Sequence, residues 1–180
     1  MQKPEIQAIA SAVVYKNRWM TVREDSIVRA DGSQGVYGVV EKPDFAVIAA
    51  VHEEHVYLVE QYRYPVGARF WELPQGSWEN DTADALTLAK AELHEETGLV
   101  ATSMVHAGRL FLGYGYSTQA YDLFLASEFE QQEAQPGAEE QGLVAKAFEV
   151  RAVEEMIRNG TIRDATTVAA FGLLRLKGML

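Results

Sequence analysis

Ala91-Glu92-Leu93-His94-Glu95-Glu96-Thr97-Gly98-Leu99, preceded by Trp71-Glu72-Leu73-Pro74-Gln75-Gly76, decides how this chain is read. Leu86, Ala89, Leu93 and Thr97 recur at helical spacing, and Gly98 is suited to end the helix, which predicts a helix over Thr82–Thr97. On it Glu92, Glu95 and Glu96 stand at i, i+3 and i+4, on one side. The apolar stripe of Leu86, Ala89 and Leu93 is expected on another side, packed on a sheet. Like charges at this spacing repel, and the C-terminal end of a helix disfavours anions. Two penalties at one place point to a compensating cation. Oxygen donors select Mg²⁺, Mn²⁺ or Ca²⁺. The competing reading is a solvated acidic face.

Upstream, Trp19–Glu24 and Ser26–Arg29 are rich in strand formers, Asp31-Gly32 is a turn signal, and Gly35–Val40 completes an expected hairpin. Phe45–Val51 and Val56–Gln61 read as two further strands, with a turn near Glu54 and His55. Downstream, strands are expected at Leu110–Tyr116, Gln119–Ala126 and Val144–Val150, with a polar surface loop over Glu128–Gly142. Val153–Asn159 and Ala165–Lys177 read as helices, the second with Asp164 as N-cap. Strands flank one central helix and helices close the chain, so the class is a mixed α/β sandwich rather than regular βαβ alternation.

Composition narrows the function. The 180 residues fit one domain. A net charge of −10 gives no general attraction to nucleic acid or anionic lipid, so an anionic ligand would need a local basic patch or a bound cation. The absence of Cys excludes disulfides and thiolate chemistry. No apolar stretch approaches the ~20 residues of a membrane span, and the N-terminus has no signal-like apolar core. A cytoplasmic protein is expected. Gly-rich dinucleotide and phosphate-loop motifs are missing.

The segment opened by Gly76 and completed by Glu92–Leu99 resembles the signature box of the Nudix hydrolase family. The second half matches at every specified position. The first half departs: Ala91 and Ala83 stand at the box Arg and upstream Glu positions, and the stretch from Gly76 to Glu92 is one residue longer than in the family. Glu79 and Asp84 are the nearest acidic residues to the upstream Glu position. Arg18–Arg23, Gly38–Pro43, Gln61–Gly67, Trp71–Pro74 and Gly160–Thr167 resemble the ADP-ribose and nucleotide-sugar pyrophosphatase branch. The resemblance implies an α/β; Nudix-type α/β/α sandwich with a mixed sheet and an N-terminal β-hairpin extension. It implies a single domain over 1–180, with residues 1–42 an extension at a homodimer contact and 43–180 the core.

It further implies an Mg²⁺-dependent pyrophosphohydrolase, with Mn²⁺ able to substitute, that cleaves the diphosphate of ADP-ribose or a related nucleoside diphosphate sugar with water as nucleophile. Alternatives are a hydrolase of nucleoside triphosphates or another diphosphate, and a catalytically weak binding module. Glu92, Glu95 and Glu96 are the expected metal ligands, with the backbone carbonyl of Gln75 carried over from the branch. By the same analogy a late-loop acid serves as general base, Glu140 ahead of Glu139, with Glu95 the fallback. Arg63 suits a diphosphate by its fork geometry, and Arg23 and Arg29 are weaker candidates for substrate or dimer contacts. Tyr62, Tyr64, Phe70 and Trp71 could stack on a base or fill the core. His94 is expected at the surface.

Overall fold

A computed structural model describes residues 4–77, 84–135, 137 and 140–180. It divides into two compact units. The smaller carries most of the N-terminal segment, up to Asp44, and residues 111–120. Its centre is a three-stranded antiparallel sheet of β1 (Ile6–Lys16), β2 (Thr21–Arg29) and β3 (Gln34–Glu41), in that order. The hairpin joining β2 and β3 turns where expected, with Gly32 at φ 84. The sequence reading missed β1, so the extension is a sheet of three strands. Every residue of β1 is exposed.

The larger unit contains β4 (Phe45–His52), β5 (His55–Arg63), a 3-10 turn (Tyr64–Val66), β6 (Ala68–Glu72), β7 (Gln75–Gly76), α1 (Ala85–Thr97), β8 (Leu99–Phe111), β9 (Ala120–Gln131), β10 (Val144–Glu149), α2 (Val150–Arg158) and α3 (Ala165–Leu176). The main path of its sheet runs β10-β5-β4-β9-β8, with β6 on β5 and β7 on β4. β4 runs parallel to β9 and antiparallel to β5, so the sheet is mixed as expected.

β4 is the central strand, and its sequence is apolar without alternation because both faces are covered. Phe45, Val47 and Ala49 join the core formed with Val150, Val153, Phe171 and Leu174 of α2 and α3. Ala46, Ile48 and Ala50 point the other way and are equally buried. α1 packs on β4 and buries Leu88, Ala89 and Leu93.

Several expectations need correction. Leu110–Tyr116 is not a strand: it spans the end of β8 and a turn in which Gly113 accepts from Tyr116 and Ser117. β8 itself, begun immediately after Gly98, was not foreseen, because its alternation is broken by polar residues on a half-exposed face. The segment expected to loop from Glu128 continues as β9 to Gln131. Leu86 is exposed, and Leu88 takes its place on the buried side of α1.

Candidate active site

α1 begins at an Asp cap and ends at a Gly cap. The Asp84 carboxylate accepts from the backbone N–H of Leu86 and Thr87, 3.0 Å each, and from the Thr87 hydroxyl. Asp84 is out of register with the box Glu, yet it fixes the start of the helix. Ala83 and Glu79 lie outside the described residues. At the other end Gly98, at φ 74, donates to the His94 carbonyl. A Cβ on Gly98 would fall 2.4 Å from the Gln132 carbonyl oxygen, so only Gly allows this approach.

The carboxylates do not form a separate exposed face. Glu92 and Glu96 are buried, 6% and 2% exposed, on the side of α1 that also buries Leu93; Glu95 alone faces solvent. The i, i+4 pair thus points inward with the apolar stripe, which rules out a solvated face for two of the three. Glu92 lies against Gly76, where a Cβ would sit 2.2 Å from its carboxylate oxygen. The Gly that opens the box therefore leaves room for the first helix carboxylate. Glu96 accepts from the Gln75 backbone N–H at 3.1 Å. His94 is half-buried rather than surface-exposed, and its Nε2 is buried without a hydrogen-bond partner.

Burial and like charge act together on these groups. Burial first, then Glu95 and Glu140, push the Glu92 carboxyl up to about 7. Glu96 is raised well above the usual carboxylate range by burial, then by Glu140 and Glu92, with Glu72 adding to it; the Gln75 N–H opposes the shift. Glu95 is raised by partial burial and by Glu140, with His94 opposing. Among the described residues, the charged neighbours that perturb Glu92 and Glu96 most are other carboxylates.

Glu140 is among the charges that raise all three α1 carboxyls, and hydrogen bonds hold the late loop at both its ends. At its root Gln132 N–H donates to the Gly98 carbonyl at 2.8 Å, and Gln135 N–H to the Glu95 carbonyl at 3.1 Å. At its far end the Arg69 guanidinium of β6 donates to the Gly142 carbonyl at 2.6 Å and pairs with Glu60. Within the loop Glu140 accepts from the Gly137 N–H at 2.7 Å. Glu139 lies outside the described residues.

Arg63, at the end of β5, pairs with the buried Glu72 of β6, which also accepts from Gln61 at 2.9 Å. Burial raises the Glu72 carboxyl and Arg63 pulls it back. The Arg63 side chain stays 41% exposed, so the guanidinium is held from behind and open in front. Glu72 had no role in the sequence reading. Its signal is an acid between Trp71 and Leu73 in a strand, where an unpaired charge would not be buried. Tyr62 and Tyr64 are exposed, whereas Trp71 packs edge-on against Phe148 in the core. Arg23 is engaged in the N-terminal sheet by Asp25 and Glu41, and Arg29 donates to the Gln34 carbonyl.

The donor set fits a hard divalent cation. Glu92, Glu96 and the carbonyl of Gln75 offer oxygen only, and a cation would relieve the mutual repulsion of buried carboxylates. Among the described residues no three His, Asp or Glu side chains form a ready-made cage.

Comparison with known proteins is consistent with this geometry. Residues 6–40 match the nucleoside diphosphate sugar hydrolase N-terminal domain, and residues 42–171 match the NUDIX domain. An ADP-ribose pyrophosphatase of Bacillus subtilis is 25% identical, over 100% of this chain and 98% of its own length. A methanol dehydrogenase activator of Bacillus methanolicus is 27% identical, over 98% of this chain and 96% of its own. An ADP-ribose pyrophosphatase of Mycobacterium tuberculosis is 27% identical, over 71% of this chain and 62% of its own. A crystal structure described as an ADP compounds hydrolase shares the fold, with a TM-score of 0.87 over 99% of this chain and 98% of that one, at 19% identity. With its domain match spanning most of the sequence, the chain belongs to the Nudix hydrolase family.

Proposed function

We propose that this protein is a divalent-cation-dependent pyrophosphohydrolase that splits the diphosphate of ADP-ribose or a related nucleoside diphosphate sugar. The observation that carries the reading is the inward pair Glu92 and Glu96, buried among carboxylates with Gln75 and Gly76 against them. The match of residues 6–40 to a nucleoside diphosphate sugar hydrolase segment and the two ADP-ribose pyrophosphatases among the relatives support the substrate class.

In this reading Glu92, Glu96 and the Gln75 carbonyl hold Mg²⁺, with Mn²⁺ able to replace it, and Glu95 reaches the site from its exposed side. When bound, the cation neutralises the diphosphate and lowers the pKa of a water. Arg63 binds a phosphoryl oxygen with the face of its guanidinium that Glu72 leaves open. Glu140 accepts the proton of the attacking water as general base. Arg23 and Arg29 are kept as substrate or dimer contacts, with their bonds inside the N-terminal sheet against a direct role.

A homodimer formed through the N-terminal sheet belongs to the same proposal, as does one functional domain with residues 1–42 as extension and 43–180 as core. Support for the dimer comes from the bare apolar side chains of Ile6, Ile9, Val13 and Val36. A cytoplasmic setting is consistent with a chain lacking Cys. Among the described residues no helix is long and apolar enough to cross a membrane.

A substrate panel tests the reading. ADP-ribose, other nucleoside diphosphate sugars and nucleoside triphosphates are incubated with Mg²⁺, and phosphate is measured after phosphatase treatment. ADP-ribose or a nucleotide sugar should be preferred, with activity lost in excess chelator. A preference for triphosphates would replace the substrate class, and no turnover on any of them would leave a binding module.

A further inference from the structure

We propose that Asp164 and Thr167, at the start of α3, are positioning residues that brace the turn at Leu73–Gln75 from outside the Nudix box. The inference rests on the reading of Gln75 and Glu96 as cation ligands.

Asp164 caps α3 by accepting from the backbone N–H of Thr167 at 2.8 Å and of Thr166 at 3.4 Å. That alone would satisfy the helix start. Two further bonds go beyond capping. The Thr167 hydroxyl donates to Asp164 Oδ2 at 2.7 Å and accepts from the Leu73 backbone N–H at 2.9 Å. The Gln75 side-chain amide also reaches Asp164 Oδ2, at 3.4 Å. A backbone N–H donates only, so Thr167 Oγ1 offers a lone pair to Leu73 and turns its own proton to Asp164. Thr167 and Leu73 are both fully buried, so water cannot replace either partner.

Three consecutive residues of the turn are thereby held by three elements. α3 holds the Leu73 N–H, β4 holds the Pro74 carbonyl through Ile48 N–H at 2.9 Å, and α1 holds the Gln75 N–H through Glu96. The β4 bond belongs to the sheet and the Glu96 bond to the box. The α3 bond comes from a helix far along the chain, and nothing in the capping of that helix requires it. Its effect is to fix Leu73 between Glu72, which orients Arg63, and Gln75, whose carbonyl faces the cation site in the proposed reading. Partners of this kind behind a metal ligand commonly change affinity about 10–100-fold when removed.

The test measures Mn²⁺ affinity by electron paramagnetic resonance, well below the melting temperature, in the parent, Thr167→Val, Thr167→Ser and Glu96→Gln. Thr167→Val keeps the shape and deletes the hydroxyl. It should weaken Mn²⁺ binding about ten-fold, and Thr167→Ser should restore affinity to within two- or three-fold of the parent. Leu174→Val, a core change on the same helix, should lower the melting temperature without moving Mn²⁺ affinity. Should Thr167→Val fail to fold, Gln75→Met removes the amide bond to Asp164 and should weaken Mn²⁺ binding several-fold. An unchanged affinity in a folded Thr167→Val, or in Gln75→Met, overturns the brace while leaving the cation site intact. A parent with no Mn²⁺ site sensitive to Glu96→Gln overturns the cation reading, and the brace with it.

Discussion

The α1 site and the N-terminal sheet break the ordinary rule of burial in opposite directions. α1 buries charge: Glu92 and Glu96 lie inside, raised by burial first and then by neighbouring carboxylates. The N-terminal sheet exposes apolar surface: Ile9, Val13, Val14 and Val36 are each more than half exposed. Each arrangement is unfavourable for an isolated chain, and in the proposed reading each would be relieved by a different partner. Buried carboxylates are relieved by a cation, and a bare apolar sheet by a second protein surface. The contrast therefore separates chemistry from assembly, and each half can be broken without the other.

The largest effect is expected at Glu96. Glu96→Gln keeps the volume and the hydrogen bond to Gln75 but removes a ligand charge, so turnover should fall by orders of magnitude. Because folding must bury this carboxyl, at the cost of its hydration or of taking up a proton, and Gln carries neither cost, the same change should raise the melting temperature of the metal-free protein. A thermal melt in chelator beside a turnover assay checks both signs, and normal turnover would return Glu96 to a structural role. Glu95→Gln, on the exposed side of the helix, should cost far less.

Next comes the late loop. Glu140→Gln should reduce turnover about 10²-fold, in the range for loss of a general base, and Mn²⁺ affinity far less, because one attracting charge leaves while the α1 carboxylates stay. A few-fold effect on turnover would move the base to Glu95.

On the assembly side, Val13→Glu puts a charge on the bare face of β1. The parent should sediment as a dimer at micromolar concentration and the variant as a shifted, lighter species. A monomeric parent would remove the dimer from the account.

The smallest effect is in pH. The Glu92 carboxyl titrates at about 7 in the folded protein against an ordinary 4.5, so the folded state holds the extra proton between those values. Stability from this group is complete below the lower value and is lost as pH rises through the upper. The metal-free melting temperature should therefore decline by a few degrees between about pH 5 and pH 8. Mg²⁺ should stabilise more at the upper end, where no proton has to be displaced. A melting temperature flat across this range without metal would show that Glu92 is not under the strain described.

What the sequence revealed and what it hid follow one physical division. Phe45–Val51 and the i, i+3, i+4 carboxylates were legible because a short apolar run and a helical spacing are both local patterns. The direction in which the carboxylates point was not. Leu86 and Leu88 are equally apolar, and only contact with β4 decides which is buried and so which way Glu92 and Glu96 turn. The bonds between Thr167 and Leu73, and between Gln132 and Gly98, join distant segments and leave no local pattern. β1 was missed because every one of its residues is exposed, so no buried face imposes a period-2 pattern.

The most direct test of the central claim is hydrolysis of ADP-ribose followed by phosphorus NMR, with Mg²⁺ and then with excess chelator, in the parent and in Glu96→Gln. The account predicts cleavage within the diphosphate to AMP and ribose 5-phosphate by the parent with Mg²⁺, abolished by chelator and reduced by orders of magnitude in Glu96→Gln. Cleavage that persists in chelator, or proceeds equally in Glu96→Gln, would contradict it.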